Sequence, residues 1–296
     1  MVLMKWKESF HPYAIITIVF WSLAYVLTRL ALRYFSAFPL GFLRYFIASC
    51  AFLILALFTR MKLPEKVHIK WFLASGASGF FLYMLAFNKG CETVSAATSS
   101  TVIATVPVIT AVLARFIYHE KLSPLQWVAV GVEFSGVITL TLMKGALTLN
   151  HGLLWLFFAA ILLSTYNLLQ RKLTKFYSGI HTTAYSIFAG TIMLSLFLPD
   201  SIREVREAPP IQLIYLVLLG VFSSAVAYAA WAQAFKKAEK ASSVSNYMFI
   251  TPLLTSLLGF LLANERPDIP TLTGGTIILI GMLLFNIRKK PSKGIL

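Results

Sequence analysis

Long, uninterrupted apolar runs constrain this chain more than any other feature. A helix needs about 20 mainly apolar residues to cross ~30 Å of hydrocarbon. Ten stretches meet that need: 13–34, 39–58, 71–88, 94–118, 124–143, 152–170, 182–198, 211–233, 243–263 and 270–287. They are continuously apolar and do not alternate with a period of two, so barrel strands are excluded. The connections are short and leave no room for a soluble domain. Hydrophobic residues make up 58% of the 296 and charged residues 12%, against roughly 45–50% and 25% in an ordinary soluble domain. The mean hydropathy is +0.77. The first run follows Lys5 and Lys7, as a secretory signal would. Its apolar part is too long for one and a second span follows at once, so it is read as a retained helix. The expectation is an all-α integral membrane protein.

The formal charge of +15 could be mistaken for a nucleic-acid-binding signature. Its distribution says otherwise. With the N-terminus inside, 18 of the 26 Lys and Arg residues fall on the inner side, in clusters such as Arg60, Lys62, Lys66 and Lys70, or Arg288, Lys289, Lys290 and Lys293. Seven fall outside (Arg29, Arg33, Lys89, Lys144, Arg203, Arg206 and Arg266), and Arg44 lies within a span. That bias predicts two cytoplasmic termini in a multi-pass protein of the cell (inner) membrane. The excess charge is then a rim facing anionic lipid head groups, and the partners expected are the bilayer and a small-molecule substrate, with no nucleic acid. Cys50 and Cys91 are packing residues without CxxC spacing. The five histidines lack metal spacing, and there is no Walker loop. Neither a metal nor a cofactor is expected, nor direct drive by ATP.

A shift of 145 residues aligns the two halves without a gap. Tyr83 falls on Tyr228, Ala96 on Ala241, Ser100 on Ser245, Pro107 on Pro252, Thr110 on Thr255, Glu120 on Glu265 and Gly136 on Gly281. Apolar identities are cheap in such a chain, whereas mid-span Pro and scarce Glu are not. The register predicts a duplication, residues 1–145 and 146–296, of five spans each. Five is odd, so the second copy enters the membrane in the opposite sense. Two inverted repeats that exchange conformations are a transporter's device.

The segment His119-Glu120-Lys121-Leu122-Ser123-Pro124-Leu125-Gln126-Trp127, running on to Gly131 and Gly136, resembles the end of an EamA repeat. So does Asn264-Glu265-Arg266-Pro267, followed by Gly274, Gly275 and Gly281. The whole chain resembles a ten-helix member of the drug/metabolite transporter superfamily. That resemblance implies a bundle with a central cavity, spans one to four and six to nine around it, and the fifth and tenth to the side.

Several residues are candidates for the work. Pro107 and Pro252, midway along the fourth and ninth spans, remove backbone donors and kink helices; they are hinge candidates, or static kinks. Ser99, Ser100, Thr101 and Thr105 before Pro107 suit close packing and can satisfy freed carbonyls. Arg44 lies about five residues inside the second span, where a charge costs several kcal/mol unless it snorkels, pairs or faces water. It could meet a substrate carboxylate or phosphate bidentately, or be a snorkelling or structural cation. Glu133, the carboxylate deepest in a span, is the coupling candidate, with protons as the ion. Its repeat mate is Ile278, and the resemblance puts its span beside the cavity, which favours a structural role or a subunit contact. Trp21, Tyr25, Tyr83, Asn88, Asn167, Tyr185, Tyr228, Trp231 and Tyr247, together with Arg44, are the substrate-binding candidates. They suit an apolar cavity with a few polar groups; single amides such as Asn167 also serve as glue between helices.

The expectation is a secondary-active or facilitative transporter, not an enzyme, that exports small organic metabolites such as amino acids by alternating access, as a monomer or weak dimer. One rival is a multidrug exporter of lipophilic cations, with Glu133 as counter-charge and aromatic faces attracting the cation. Another, an integral-membrane enzyme, would need acid, base or nucleophile clustered at one membrane face, and the sequence offers no such cluster.

Overall fold

A computed structural model describes residues 9–59, 61–119, 122–143, 151–237, 244 and 246–287. Glu120, the outer Lys144 and much of the basic rim (Lys5, Lys7, Arg60, Lys121, Lys240 and the 288–293 cluster) lie outside the described residues. Those described form helices and short connections, with no strand among them.

In chain order the helical elements are α1 His11–Ala31, α2 Ala37–Thr59, α3 Lys66–Thr93, α4 Ala96–Ile117, α5 Pro124–Met143, α6 His151–Leu173, α7 Gly179–Glu207 and α8 Pro210–Ala234. Next come α9, a 3-10 turn Asn246–Ile250 running into Thr251–Ala263, and α10 Ile269–Asn286. Among the described residues, α1–α4 and α6–α8 are each long and apolar enough to cross a membrane, whereas the apolar parts of α9 and α10 are shorter. Their outer faces carry large apolar side chains, such as Phe58 (84% exposed), Ile192 (72%) and Leu253 (65%). Such a surface is tolerable in lipid and would aggregate in water.

Helix starts are capped where the sequence offers an oxygen. Ser95 accepts from the Thr98 N–H, Ser178 from that of His181 and Asp268 from that of Thr271. Ser123 and Gln126 exchange bonds in a capping box before α5. The seventh helix runs past the expected end at residue 198. Its extension, Leu198–Glu207, turns Leu198 and Ile202 outward, buries Ser201, and accepts the Ser36 N–H on Glu204 at 3.1 Å.

The backbone's irregularities recur at the spacing read from the sequence. A π-helical turn occupies Ala77–Phe81 in α3, and another occupies Leu218–Val226 in α8, ending 145 residues later. α4 breaks at Ala104–Thr105 before Pro107, and α9 begins as a 3-10 turn before Pro252. Among the described residues, the non-glycine residues with positive φ are His119 (54°) and Asn264 (56°), again 145 apart. Near Pro107, Thr101 Oγ1 donates to Ala97 O, and Thr105 Oγ1 donates to Val102 O, which also accepts the Thr105 N–H.

α5 and α10 pack antiparallel against each other in a reciprocal crossing. A Cβ on Gly136 would lie 2.8 Å from Ile278 N and 2.9 Å from Gly274 O; one on Gly281 would lie 2.8 Å from Glu133 N and 3.0 Å from Ala129 O. Each contact is the other moved by 145 residues. Only glycine lets the two backbones approach so closely.

Candidate solute chamber

Four elements of the first half and three of the second converge on a small internal cavity of about 30 Å³. α1 contributes Trp21, Ala24 and Tyr25, α2 Arg44, α3 Tyr83 and Phe87, α4 Ile103, α6 Leu163, α8 Tyr228 and α9 Met248. The volume suits about one water molecule and is smaller than an amino acid. Two pairs of its residues are repeat mates: Tyr83 with Tyr228, and Ile103 with Met248. The chamber is therefore lined by residues of both halves of the chain.

Helical spacing puts these side chains in place. Trp21 and Tyr25 are four residues apart on α1, Tyr83 and Phe87 on α3, so each pair shares a face. The rings interlock: Trp21 meets Tyr228 at 5.2 Å and Trp231 at 5.0 Å between centroids, Tyr25 meets Phe87 edge-on at 5.4 Å, and Tyr83 stacks on Phe87 at 5.5 Å. Trp21 Nε1 is buried without a hydrogen-bond partner among the described residues.

Arg44 breaks the symmetry, since its repeat mate is Ala189. It is 5% exposed. Its Nε donates to Ser224 Oγ at 2.7 Å, and no carboxylate among the described residues lies within ion-pair distance. Two features of α8 make this contact. Gly220 lets the helix rest on α2, where a Cβ would come within 2.5 Å of Ile47 Cβ and 3.0 Å of Arg44 O. The π turn then carries both Ser223 and Ser224 inward, Ser223 donating to Phe20 O at 3.0 Å. A buried guanidinium with a hydroxyl at one edge keeps donors for an incoming acceptor.

Of the candidates read from the sequence, Trp21, Tyr25, Arg44, Tyr83 and Tyr228 line the chamber, and Trp231 stands behind Trp21. The others lie elsewhere. Asn88 Nδ2 donates to Ala37 O at 2.7 Å, tying α3 to the start of α2, and Asn167 Nδ2 donates to Thr110 Oγ1 at 3.4 Å. Tyr185 OH donates to Lys62 O at 2.7 Å, and Tyr247 OH bonds His11 Nδ1 at 2.5 Å. Glu133 is 1% exposed and sits in the α5–α10 crossing against Gly281, where its mate Ile278 sits against Gly136; its Oε1 has no partner among the described residues. Pro252 is buried, and Pro107 partly so.

Sequence reasoning missed Ala24, Phe87, Ile103, Leu163 and Met248, which as apolar residues carry no signal in an apolar chain. It also missed Ser224. The spacing of Phe87 from Tyr83, and of Met248 from Ile103, was the available clue. Among the described residues no group of three or more His, Cys, Asp or Glu side chains could hold a metal ion.

An all-helical chain with a lipid-compatible surface and an internal, part-polar chamber is a multi-pass membrane protein of the transporter type. The EamA-like transporter family matches it twice, over residues 10–142 and 150–287, and the chain belongs to that family. A transporter of Bacillus subtilis, YdfC, whose activity is uncharacterised, is 29% identical over 270 residues, covering 91% of this chain and 88% of its own. A probable terminal-alkyne amino-acid exporter of Streptantibioticus cattleyicolor is 26% identical, covering 93% and 92%. A crystal structure 17% identical in sequence has the same fold, with a TM-score of 0.64 over 94% of this chain and 96% of the other.

Proposed function

We propose that this protein is a secondary-active or facilitative transporter that exports small carboxylate-bearing metabolites, amino acids first among them, by alternating access. The observation that carries the reading is Arg44: a guanidinium buried in an aromatic chamber, hydrogen-bonded to Ser224 and facing no carboxylate among the described residues. The cost of an unpaired cation in such surroundings is several kcal/mol. A solute carboxylate would offset it with two parallel charge-assisted bonds. The faces of Trp21, Tyr25, Tyr83 and Tyr228 suit an apolar side chain and can attract an ammonium group. The exporter of Streptantibioticus cattleyicolor, named for an amino-acid substrate, is in keeping with this reading.

The reading includes ten spans in two inverted repeats, 1–145 and 146–296, with both termini in the cytoplasm and the protein in the cell (inner) membrane. Three observations support the inversion: the irregularities at equivalent places, the reciprocal glycine crossing, and the position of Glu265. Glu265 lies beside Ala96 at the start of α4, whereas its mate Glu120 follows the far end of that helix. Protons remain the candidate coupling ion. The placement of Glu133 at the α5–α10 crossing favours a structural role for it.

The test is counterflow of labelled amino acids into proteoliposomes that contain this protein alone. Saturable uptake that falls at least about tenfold in Arg44→Gln, the factor expected for loss of a charged hydrogen bond, is the expected result. Unchanged flux in Arg44→Gln would overturn the reading, and export of lipophilic cations abolished by Glu133→Gln would replace it with the multidrug alternative.

A further inference from the structure

The chamber leaves a half-buried charge cluster unused, at the end of the bundle where α1, α3 and the α9–α10 connection meet. Arg29 lies one turn beyond Tyr25 on α1, so Trp21, Tyr25 and Arg29 follow one another along a single face. Its Nε donates to Glu265 Oε1 at 3.2 Å, and its Nη1 donates to the carbonyls of Cys91 at 2.5 Å and Glu92 at 2.9 Å. Glu265 Oε2 accepts the Ala96 N–H at 2.8 Å, satisfying a free donor at the start of α4. The two side chains are 28% and 16% exposed. Two residues thus bind α1, the end of α3, the start of α4 and the corner after α9, joining the first half of the chain to the second.

Arg29 itself has no counterpart in the other half. In the 145-residue register the mate of Arg29 is Thr174, whose hydroxyl folds back on its own helix to Gln170 O at 2.9 Å and Arg171 O at 3.3 Å.

We propose that Arg29 and Glu265 form a one-sided latch on the chamber: it opens toward this end only when the pair parts. The proposal rests on the alternating-access reading above. Under that topology the latch faces the extracytoplasmic side, and the Arg29–Glu265 pair biases the resting protein toward closure there. Opening toward this face must separate the corner after α9 from α1 and α4, and each bond the pair makes opposes that step.

The test uses the full chain in sealed vesicles of both orientations, with Cys50→Ser and Cys91→Ala and a reporter thiol at Ala24→Cys, which lines the chamber. The readout is the rate of labelling by a membrane-impermeant methanethiosulfonate. Glu265→Gln and Arg29→Gln should each speed labelling from the latch face about tenfold, in line with loss of a charged hydrogen-bonded pair. The double variant should speed labelling by less than the product of the two singles, because the Arg29–Glu265 bond is lost in both. Unchanged rates in both variants, each eluting as folded protein, would overturn the latch; if one fails to fold, the other decides. Labelling needs no solute. Faster labelling in a protein that carries no amino acid would therefore keep the latch and sink the carboxylate reading, whereas intact flux with unchanged labelling would do the reverse.

Discussion

Ser224 is worth as much attention as the arginine it holds. Its hydroxyl fixes one edge of the Arg44 guanidinium at 2.7 Å in a buried setting. A hydrogen bond to a charged group contributes roughly 1.5–3 kcal/mol. Ser224→Ala is therefore expected to leave the protein folded and to raise the KM for a carboxylate solute about tenfold or more in counterflow, with Arg44 still charged but less well aimed. Trp21 offers a subtler case. Its Nε1–H is buried and has no partner among the described residues, a donor held ready or a cost left standing. If it serves the solute, Trp21→Phe will weaken transport while raising the melting temperature of the unliganded protein, since an unsatisfied buried donor costs about 1–3 kcal/mol. Lower thermal stability in that variant would show the indole to be mainly a packing group against Tyr228 and Trp231.

Among elements, the α5–α10 pair is built for contact and α3 and α8 for curvature. At the crossing, Gly136 and Gly281 each face the backbone of the opposite helix at under 3 Å from where a Cβ would stand. Gly281→Val must push the helices apart and is expected to cost about 1–3 kcal/mol, read as a drop of several degrees in melting temperature; Gly136→Val should do the same. Gly131, on the same helix, has nothing within 4 Å of its would-be Cβ. Gly131→Ala should be neutral or stabilising by about 1 kcal/mol, the helix preference of alanine over glycine. Equal losses at positions 131 and 281 would mean that the crossing is not what holds these helices. Glu133 belongs to this crossing, so Glu133→Gln is expected to keep flux near that of the unaltered protein. The π turns in α3 and α8 act differently. Each inserts a residue into the helical repeat, rotating everything beyond it relative to everything before; that rotation brings Ser223 and Ser224 inward.

For the molecule as a whole, the proposed inversion makes one demand that can be checked without any solute. His119 and Asn264 occupy equivalent corners with the same left-handed backbone. Single cysteines placed there should be labelled from opposite faces of the membrane, and labelling of both from one face would end the inverted-repeat reading. The periodic record carried the large scale well. Pro107 and Pro252, and Gly136 and Gly281, were in register before any coordinates, and the helix breaks and glycine contacts stand at those places. The chamber was legible only in part. Asn88 looked as good a candidate as Tyr83, yet it is one residue beyond Phe87 and about 100° around the helix, on the face that meets α2. Tyr185 and Tyr247 sit in apolar runs like the chamber tyrosines, but they bond Lys62 and His11 near helix ends.

Hydropathy, charge bias and a repeated register are properties of the chain as a line. The amino-acid order alone was therefore enough for a helical membrane protein and its transporter kinship, because lipid accepts only backbones that satisfy their own hydrogen bonds. Which side chains enclose the chamber was left to the tertiary structure. In a membrane bundle nearly every face of a helix is apolar, so the pattern does not mark the inward one. Helix rotation, set by a π turn, a glycine contact or a latch between distant residues, decides that Arg44 meets Ser224 and that Arg29 meets Glu265.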